Sequence, residues 1–221
     1  MPTSTVEDYI KRLYVEQNRT PGHLVPMGRL AEAMDVVPGT VTTMIKALAD
    51  SGLVDYEPRA GVRLTSGGER LALHVLRRHR LLELFLVKVL GLDWSEVHAE
   101  AEELEHAISE KVLDRIDALL GHPAVDPHGS PIPNARGEVT PEASQSLLHV
   151  ETGQRCQIAR IADADARFLQ FAERNGLVPG AEIRVISRDE SADALVISCG
   201  TRTSHTLGSS AAAKIFVAQA G

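Results

Sequence analysis

The chain has 221 residues, a hydrophobic fraction of 43% and a formal net charge of −7, which suits one large domain or two to three small ones with a buried core. We expect no signal peptide, because residues 1–10 have neither a basic start nor an apolar run, and no membrane span, because the most apolar segment, 81–92, is short and interrupted by charges. The two cysteines, Cys156 and Cys199, are isolated and fit a reducing cytoplasm.

The negative charge is concentrated in the middle of the chain. Residues 1–80 hold 11 Lys and Arg against 9 Asp and Glu, residues 81–150 hold 4 against 13, and residues 151–221 hold 8 of each. The first third can therefore meet a polyanion although the whole chain is acidic. In the middle third, bound cations would offset the excess of acidic side chains.

The first 65 residues predict a winged helix-turn-helix. Helical periodicity favours helices over 5–17, 25–34 and 39–51, with a turn before the second helix and a break after it. Two alternating segments, 52–56 and 62–65, predict strands around a turn that contains Pro and Gly. Two short helices joined by a tight turn and followed by a β-hairpin are typical of this DNA-binding motif, although the two helices alone could form any helical hairpin.

Candidate DNA contacts lie on the third helix and on the hairpin. One stripe of that helix, from Val41 to Leu48, is apolar, and the opposite face carries three threonines and a lysine. Threonine hydroxyl and methyl groups provide modest base selectivity, and basic side chains bind phosphates. Arg59, at the tip of the hairpin, suits a phosphate or minor-groove contact as well as it suits a solvated turn. The predicted DNA-binding residues are Thr40, Thr42, Thr43, Lys46, Arg59 and Arg29.

The stretch 97–108 predicts a helix that carries metal ligands. It is rich in Ala, Glu and Leu, it contains no Gly or Pro, and we expect the helix to run to about Leu120. At about 100° per residue, two imidazoles and two carboxylates fall within an arc of roughly 100°. These four side chains are a metal-ligand set, and the alternative is a solvated acidic face. They are His98, Glu102, Glu105 and His106.

A long helix is expected before this stretch, from residue 65 to Gly91. Within it, His79 and Glu83 are four residues apart and share one face, which makes them either further ligands or part of a solvated basic and acidic surface. Between Leu82 and Val89 the helix presents a wide apolar surface, which fits either the core or a dimer interface.

The end of the chain changes character after a proline-rich loop. Residues 121–141 hold five of the eleven prolines and mark the clearest domain boundary. The strand-rich segment that follows, with its Gly and Pro turns, predicts a small β-barrel. Its predicted elements are a short helix over 140–148, strands over 155–161, 182–187, 194–198 and 212–217, and a helix over 168–175.

Several motifs resemble those of the metal-dependent repressors of the diphtheria toxin repressor and manganese transport regulator family. They are R-H-R-L-L-E at 78–83, E-x2-E-H at 102–106, D-P-H-G-S-P-I-P at 126–133 and, in the tail, G-L-V-P-G-A-E-I-R-V at 176–185, which resembles the FeoA-type domain of the longer members. The resemblance covers almost the whole chain. It implies a mainly α chain with a winged helix-turn-helix domain at 1–74, a helical metal-binding and dimerisation domain at 75–142, and a C-terminal SH3-like β-barrel at 143–221.

The resemblance also implies two neighbouring metal sites. The primary site matches Asp8, Glu102, Glu105 and His106, the ancillary site matches His79, Glu83 and His98, and Asp163 or Asp165 could add a ligand from the SH3-like domain. Carboxylates stand at Asp8 and Glu102, where iron-type members have sulfur, which favours Mn²⁺, with Fe²⁺ as the alternative and Co²⁺, Zn²⁺ or Cd²⁺ as substitutes. Lys11 replaces a further carboxylate of short manganese-type members, which favours two separate sites.

In function, the resemblance implies a cytoplasmic homodimer that binds double-stranded operator DNA and represses metal-uptake genes when Mn²⁺ is plentiful. A cation held by Asp8 and the middle domain would place the DNA-reading helices for successive major-groove turns. An iron-dependent repressor and a winged-helix regulator that senses a non-metal signal remain as alternatives. We do not expect an enzyme or a membrane partner, because a metal-dependent hydrolase would need a nucleophile–base pair or a phosphate loop, and the sequence contains neither.

Overall fold

The computed structural model describes residues 3–140, 143–162, 165–200 and 203–219. The chain divides into two compact units: unit 1 comprises residues 1–78 and 133–138, and unit 2 comprises residues 79–132 and 139–221. In the described part of the chain, no helix has the length and apolar character that crossing a bilayer requires.

Unit 1 has the predicted winged helix-turn-helix arrangement. Its core is formed by the apolar faces of three helices, with Ile10, Leu30 and Ile45 fully buried. The two strands pair antiparallel and place Arg59 in the turn between them, as predicted. The elements are α1 (Ser4–Arg19), α2 (Met27–Met34), α3 (Pro38–Asp50), β1 (Val54–Glu57), β2 (Gly61–Leu64) and the first part of α4 (Ser66–Lys88).

The helical part of unit 2 shows that the predicted ligand helix is broken in two. It does not run to residue 120: α5 spans Val97–Leu104 and α6 spans Glu110–Leu119. The break follows from Ser109, whose hydroxyl oxygen accepts a hydrogen bond from a backbone N–H of α6 at 3.4 Å and so caps a new helix. Glu105 therefore ends α5, and His106 lies in the turn that follows.

Unit 2 continues into a six-stranded antiparallel sheet with the strand order β3-β8-β4-β5-β6-β7. Bulges between Ile158 and Arg160 and between Val185 and Ser187 add local twist. The strands are β3 (Gln145–Ser146), β4 (Arg155–Ile161), β5 (Glu182–Asp189), β6 (Ala194–Cys199), β7 (Thr203–Leu207) and β8 (Ile215–Gln219), and the helices are α7 (Ala166–Arg174) and α8 (Ser209–Ala212).

The sheet is open, so the prediction of a small β-barrel is wrong. Its edges are β3 and β7, whereas a barrel would pair the first and last strands of the order. Other elements cover the inner face instead: α7 contributes Leu169, α8 contributes Ala212, and Trp94 packs into the same core. This cover buries the apolar face without closure.

Two local predictions in this region also change. The described part of segment 140–148 holds β3 and a 3₁₀ turn, Leu147–His149, in place of the expected short helix. The expected strand at 212–217 begins only at Ile215, because α8 precedes it. Strand β7 was not predicted, because its sequence T-S-H-T-L contains a single strongly apolar side chain and so lacks the alternation of a half-buried strand.

Candidate metal centre

Two helices of unit 2 bring the predicted ancillary ligands together. His79 and Glu83 lie one turn apart on α4, and α5 packs on α4 through an apolar cluster that includes Leu82 and Val97. This packing places His98 of α5 beside them. His79 Nε2 lies 3.1 Å from Glu83 Oε1 and 2.9 Å from His98 Nδ1, and His98 Nδ1 lies 3.2 Å from Glu83 Oε1. One donor atom of each residue is close enough to the others to share a single cation.

The other face of His79 meets the predicted primary ligands of unit 2. His79 Nδ1 lies 2.7 Å from Glu105 Oε2 and 4.0 Å from Glu102 Oε1. Glu105 is fully buried, and its Oε1 lies 3.6 Å from His106 Nε2. The imidazole of His79 therefore contacts both predicted sets. The remaining predicted ligand, Asp8, is half-buried on α1 in unit 1.

The structure reveals a third donor set that sequence reasoning missed, formed by Glu83, Asp126 and His128. All three side chains are buried, and His128 Nδ1 lies 3.9 Å from Glu83 Oε2. Asp126 Oδ1 accepts hydrogen bonds from the backbone N–H groups of His128 (2.8 Å) and Ser130 (2.9 Å), which closes the loop that carries the set. The motif D-P-H-G held the signal, since Asp and His two residues apart in a tight loop offer oxygen and nitrogen donors.

Burial and charge set opposite protonation tendencies at the two carboxylates of this set. Burial alone would raise the pKa of Glu83, but the charge of His79 and hydrogen bonds from His79 and His98 hold that pKa well below its ordinary value. Burial and the negative charge of Glu83 raise the pKa of Asp126 to about 6, against the opposing charge of Arg80. Near neutral pH, Glu83 is therefore firmly ionised, whereas the ionisation of Asp126 is unfavourable.

The buried polar groups fit a divalent cation. Glu83 and His79 are 3% and 5% exposed, and carboxylates and imidazoles are seldom so deep without a compensating charge. The donors are carboxylate oxygens and imidazole nitrogens, which suit first-row divalent metals including Mn²⁺ and Fe²⁺. The two cysteines lie instead on β4 and β6 of the sheet. The donor chemistry is therefore that of a hard to borderline cation and not that of a thiolate site.

Of the two suggested ligands from the C-terminal domain, the one that the structure describes, Asp165, has no comparable setting. Asp165 is exposed and caps α7, where its Oδ1 accepts a hydrogen bond from the backbone N–H of Arg167 at 2.9 Å. Asp163 lies outside the described residues.

The predicted DNA-contacting residues are divided between exposed side chains and side chains engaged within unit 1. Thr40, Lys46 and Arg59 are exposed. The hydroxyl groups of Thr42 and Thr43 donate to backbone carbonyls one turn earlier in α3, at 2.9 and 3.1 Å. All five belong to α3 or to the turn of the hairpin, as expected.

Arg29 differs from the other five because it is held by a buried carboxylate. Its Nε donates to Glu16 Oε2 at 2.8 Å, and this contact raises the pKa of Arg29. Glu16 also accepts from Arg19 at 2.6 Å, so it neutralises two guanidinium groups at the end of α1. Arg29 therefore joins α2 to α1 in addition to any contact with phosphate.

A chain that combines a winged helix-turn-helix with a helical unit rich in buried imidazole and carboxylate donors defines a metal-responsive DNA-binding regulator. Family models agree with this class. Residues 1–62 match the model described as "Iron dependent repressor, N-terminal DNA binding domain", residues 65–134 match "Iron dependent repressor, metal binding and dimerisation domain", and residues 145–219 match the FeoA domain.

Individual relatives place the chain in a family. The iron-dependent repressor IdeR of Mycobacterium leprae (strain TN) is 37% identical over 195 residues, which cover 82% of this chain and 83% of that protein. A solved manganese-dependent transcriptional repressor in complex with manganese is 40% identical, with a TM-score of 0.91 over 97% of this chain and all of that one. ScaR with bound Cd²⁺ is 33% identical, with a TM-score of 0.84 over 99% of this chain. The chain belongs to the family of metal-dependent transcriptional repressors that includes IdeR and the diphtheria toxin repressor, a family of regulators and not of enzymes.

Proposed function

We propose that this chain is a manganese-responsive repressor that acts as a homodimer in the cytoplasm, binds double-stranded operator DNA, and silences metal-uptake genes when Mn²⁺ is plentiful. The observation that carries the proposal is the buried cluster of His79, Glu83 and Glu105, in which the donor atoms are nitrogen and oxygen. The manganese complex of the similar repressor supports this metal. Iron is the alternative, because IdeR of M. leprae is described as iron-dependent.

The proposed ligands form three sets, of which the ancillary set and the third set share Glu83. The primary set rests on the family resemblance, and the 2.7 Å contact between His79 and Glu105 supports its closeness to the ancillary set. A divalent cation supplies positive charge that offsets the mutual repulsion of the carboxylates. The sets are Asp8, Glu102, Glu105 and His106 (primary), His79, Glu83 and His98 (ancillary), and Glu83, Asp126 and His128 (third).

Within unit 1, α1 connects the proposed ligand Asp8 with both parts of the DNA-reading unit. Asp8 lies in the first turns of α1, and Glu16 and Gln17 lie near its other end. Glu16 holds Arg29 of α2, and Gln17 Oε1 accepts a hydrogen bond from the backbone N–H of Leu64 in β2 at 3.0 Å. A restraint on Asp8 therefore restrains the helix that holds the helix-turn-helix and the hairpin.

Contacts with DNA come from α3 and the hairpin. Thr40, Thr42 and Thr43 contact base edges, and Lys46 and Arg59 contact phosphates, together with Arg29 if its remaining guanidinium nitrogens reach the backbone. By linkage, operator DNA must tighten metal binding by the same factor by which metal tightens DNA binding.

Exposed apolar side chains on the helices of unit 2 support a homodimer. Leu119 of α6 is 66% exposed, and further large apolar side chains of α5, of α6 and of the turn that follows α4 are also exposed. A set of this kind marks an interface when it is contiguous with the helical domain that the family uses for dimerisation. The residues are Val89, Leu90, Leu104, Val112 and Leu119. We assign residues 1–74 to DNA binding, 75–142 to metal binding and dimerisation, and 143–221 to an FeoA-type domain.

The test is a DNA-binding titration on the promoter of a neighbouring metal-transporter gene, by fluorescence anisotropy, in chelator, in Mn²⁺ and, without oxygen, in Fe²⁺. We expect tight binding only with metal, and tighter binding with Mn²⁺ than with Fe²⁺. Equal binding in chelator would show that metal does not activate the protein, and a preference for Fe²⁺ would establish the iron-dependent alternative.

The variant Asp8→Met identifies the ligand that favours Mn²⁺. Replacing the oxygen donor by thioether sulfur should relax the preference for Mn²⁺ over Fe²⁺. Asp50→Met is the matched control, because Asp50 is an exposed aspartate at the end of a helix, α3, of the same unit. An unchanged preference in Asp8→Met would remove Asp8 from the primary set.

A further inference from the structure

The D-P-H-G loop is held on one side by Trp94. His128 Nε2 donates a hydrogen bond to the backbone carbonyl oxygen of Trp94 at 2.8 Å, and the two rings lie with their centroids 5.1 Å apart and their planes tilted by 30°. A carbonyl oxygen is only an acceptor, so the proton of neutral His128 is on Nε2. The Nδ1 lone pair is then available, and this is the atom that lies 3.9 Å from Glu83 Oε2.

Strand β4 holds the loop on the other side. The backbone N–H of Ile161 donates to the carbonyl oxygen of His128 at 2.8 Å. Gly129 adopts a φ of +85°, and a Cβ at this position would overlap with the carbonyl oxygen of Ala159. Only glycine permits this close approach of the loop to the strand. The loop is thus fixed to the sheet by a hydrogen bond and by a contact that excludes any side chain.

From these contacts we infer that the FeoA-type sheet is the scaffold of the third donor set. Strand β4 sets the position of the D-P-H-G loop, and the carbonyl group of Trp94 sets the tautomer and orientation of His128, so that His128 Nδ1 faces Glu83 and Asp126. Residues Trp94, Gly129 and Ile161 are positioning residues that act through His128. The inference rests on the proposed function, which it deepens by naming the residues that position a ligand of the third donor set.

The decisive variant is Gly129→Ala in the full chain. The added methyl group must push the loop away from β4, and we expect Mn²⁺ affinity at the third set to fall by about tenfold or more, the usual effect of losing support behind a ligand. The matched control is Gly137→Ala. Gly137 has a similar φ of +75°, but the nearest atom to its Cβ would be Leu73 Cβ at 3.7 Å, so it introduces backbone strain without displacing the loop.

The readout is the binding of Mn²⁺ itself. Calorimetric titration gives the number of ions bound by each chain, and quenching of the fluorescence of Trp94, the single tryptophan, reports the ion nearest to His128. Gly129→Ala should lose this quenching and one class of bound ion, and Gly137→Ala should keep both. If Gly129→Ala binds Mn²⁺ as the wild type does, the inference is wrong.

A measurement on the unaltered protein covers the case in which Gly129→Ala fails to fold. Hydrogen exchange should slow at Ile161 of β4 when Mn²⁺ is added, because its N–H bonds to the loop, and should not change at Ile197 of β6, which has no contact with the loop among those described. Equal exchange at Ile161 with and without Mn²⁺ would overturn the inference. Because metal-dependent DNA binding is measured separately, failure here leaves the proposed function intact.

Discussion

Replacing Asp126 by Asn should stabilise the metal-free protein above pH 6 while it weakens metal binding. Asp126 is buried next to the anionic Glu83, and its pKa is raised to about 6 from an ordinary value of 3.8. The amide keeps Oδ1, which accepts from the backbone N–H groups of His128 and Ser130. It removes the charge that the site disfavours, together with the 3.6 Å ion pair between Asp126 Oδ2 and Arg80 Nε, whose effect is already included in the raised pKa.

The size and pH range follow from the raised pKa. A folded-state pKa above the unfolded value means that the folded protein binds the proton more tightly, so the wild type loses stability as the pH rises from about 4 to about 6. The loss is about 3 kcal/mol at pH 7, from a shift of about two units at about 1.4 kcal/mol each. The variant lacks this loss, so its advantage should be near zero at pH 4 and close to its full value above pH 7.

Urea unfolding at pH 4.5 and pH 8, in chelator, measures this difference. The matched control is Asp189→Asn, because Asp189 is exposed and its Oδ1 also accepts a backbone hydrogen bond, from Ala192 at 3.1 Å. Adding Mn²⁺ should reverse the order, since the wild type then gains more binding energy than the variant. A variant that is no more stable than the wild type at pH 8 in chelator would refute the reasoning.

Two further predictions concern DNA affinity and assembly. Glu16→Gln should weaken Mn²⁺-dependent DNA binding by about tenfold, the equivalent of one charge-assisted hydrogen bond, without changing Mn²⁺ binding to the free protein. Glu32→Gln is the matched control, because the Glu32 side chain is 76% exposed and contacts the same Arg29. It should change neither DNA binding nor Mn²⁺ binding. Equal effects of the two variants would assign the weaker DNA binding to the change in net charge. Leu119→Glu should yield monomers in sedimentation velocity, whereas Val37→Glu, at an equally exposed residue of unit 1, should sediment as the wild type does.

Local signals were sufficient to predict most elements. Strand β4 was predicted over 155–161 and is observed over the same residues, because its apolar side chains follow a turn that contains Gly153. The helices of unit 1 were predicted to within a few residues because their apolar side chains recur at helical spacing. Propensity misled the prediction of the ligand helix, where one cap competes with a strong helical run: Ser109 interrupts a segment of Ala, Glu and Leu, and its effect depends on a single hydrogen bond.

The sequence could not predict the contacts between distant parts of the chain. The open sheet depends on β3 and β8 pairing across most of the C-terminal domain and on Trp94, from before α5, covering its inner face. The third donor set likewise requires Glu83 of α4 to meet a loop far along the chain. The ancillary set was predicted from the family resemblance, and the spacing of its first two ligands, one helical turn apart on α4, is local information that agrees with it.

The position of His79 between two carboxylates leads to a prediction about protons. Nδ1 lies 2.7 Å from Glu105 Oε2, and Nε2 lies 3.1 Å from Glu83 Oε1. An imidazole protonated on both nitrogens donates to both carboxylates, but His79 can act as an ancillary ligand only through an Nε2 that has given up its proton. The Nδ1–H group would then continue to donate to Glu105 and fix the orientation of that carboxylate.

Mn²⁺ binding should therefore release a proton that depends on His79. Calorimetric titrations in two buffers of different ionisation enthalpy, at the same pH, give the number of protons released for each ion. His79→Gln should reduce this number and weaken binding at the primary set as well as the ancillary set, because Glu105 loses its buried donor. His74→Gln, an exposed histidine on the same helix, should leave both unchanged. If His79→Gln weakens only one class of ion, the imidazole does not couple the two sets, and their cooperation must come from the charge of the ions alone.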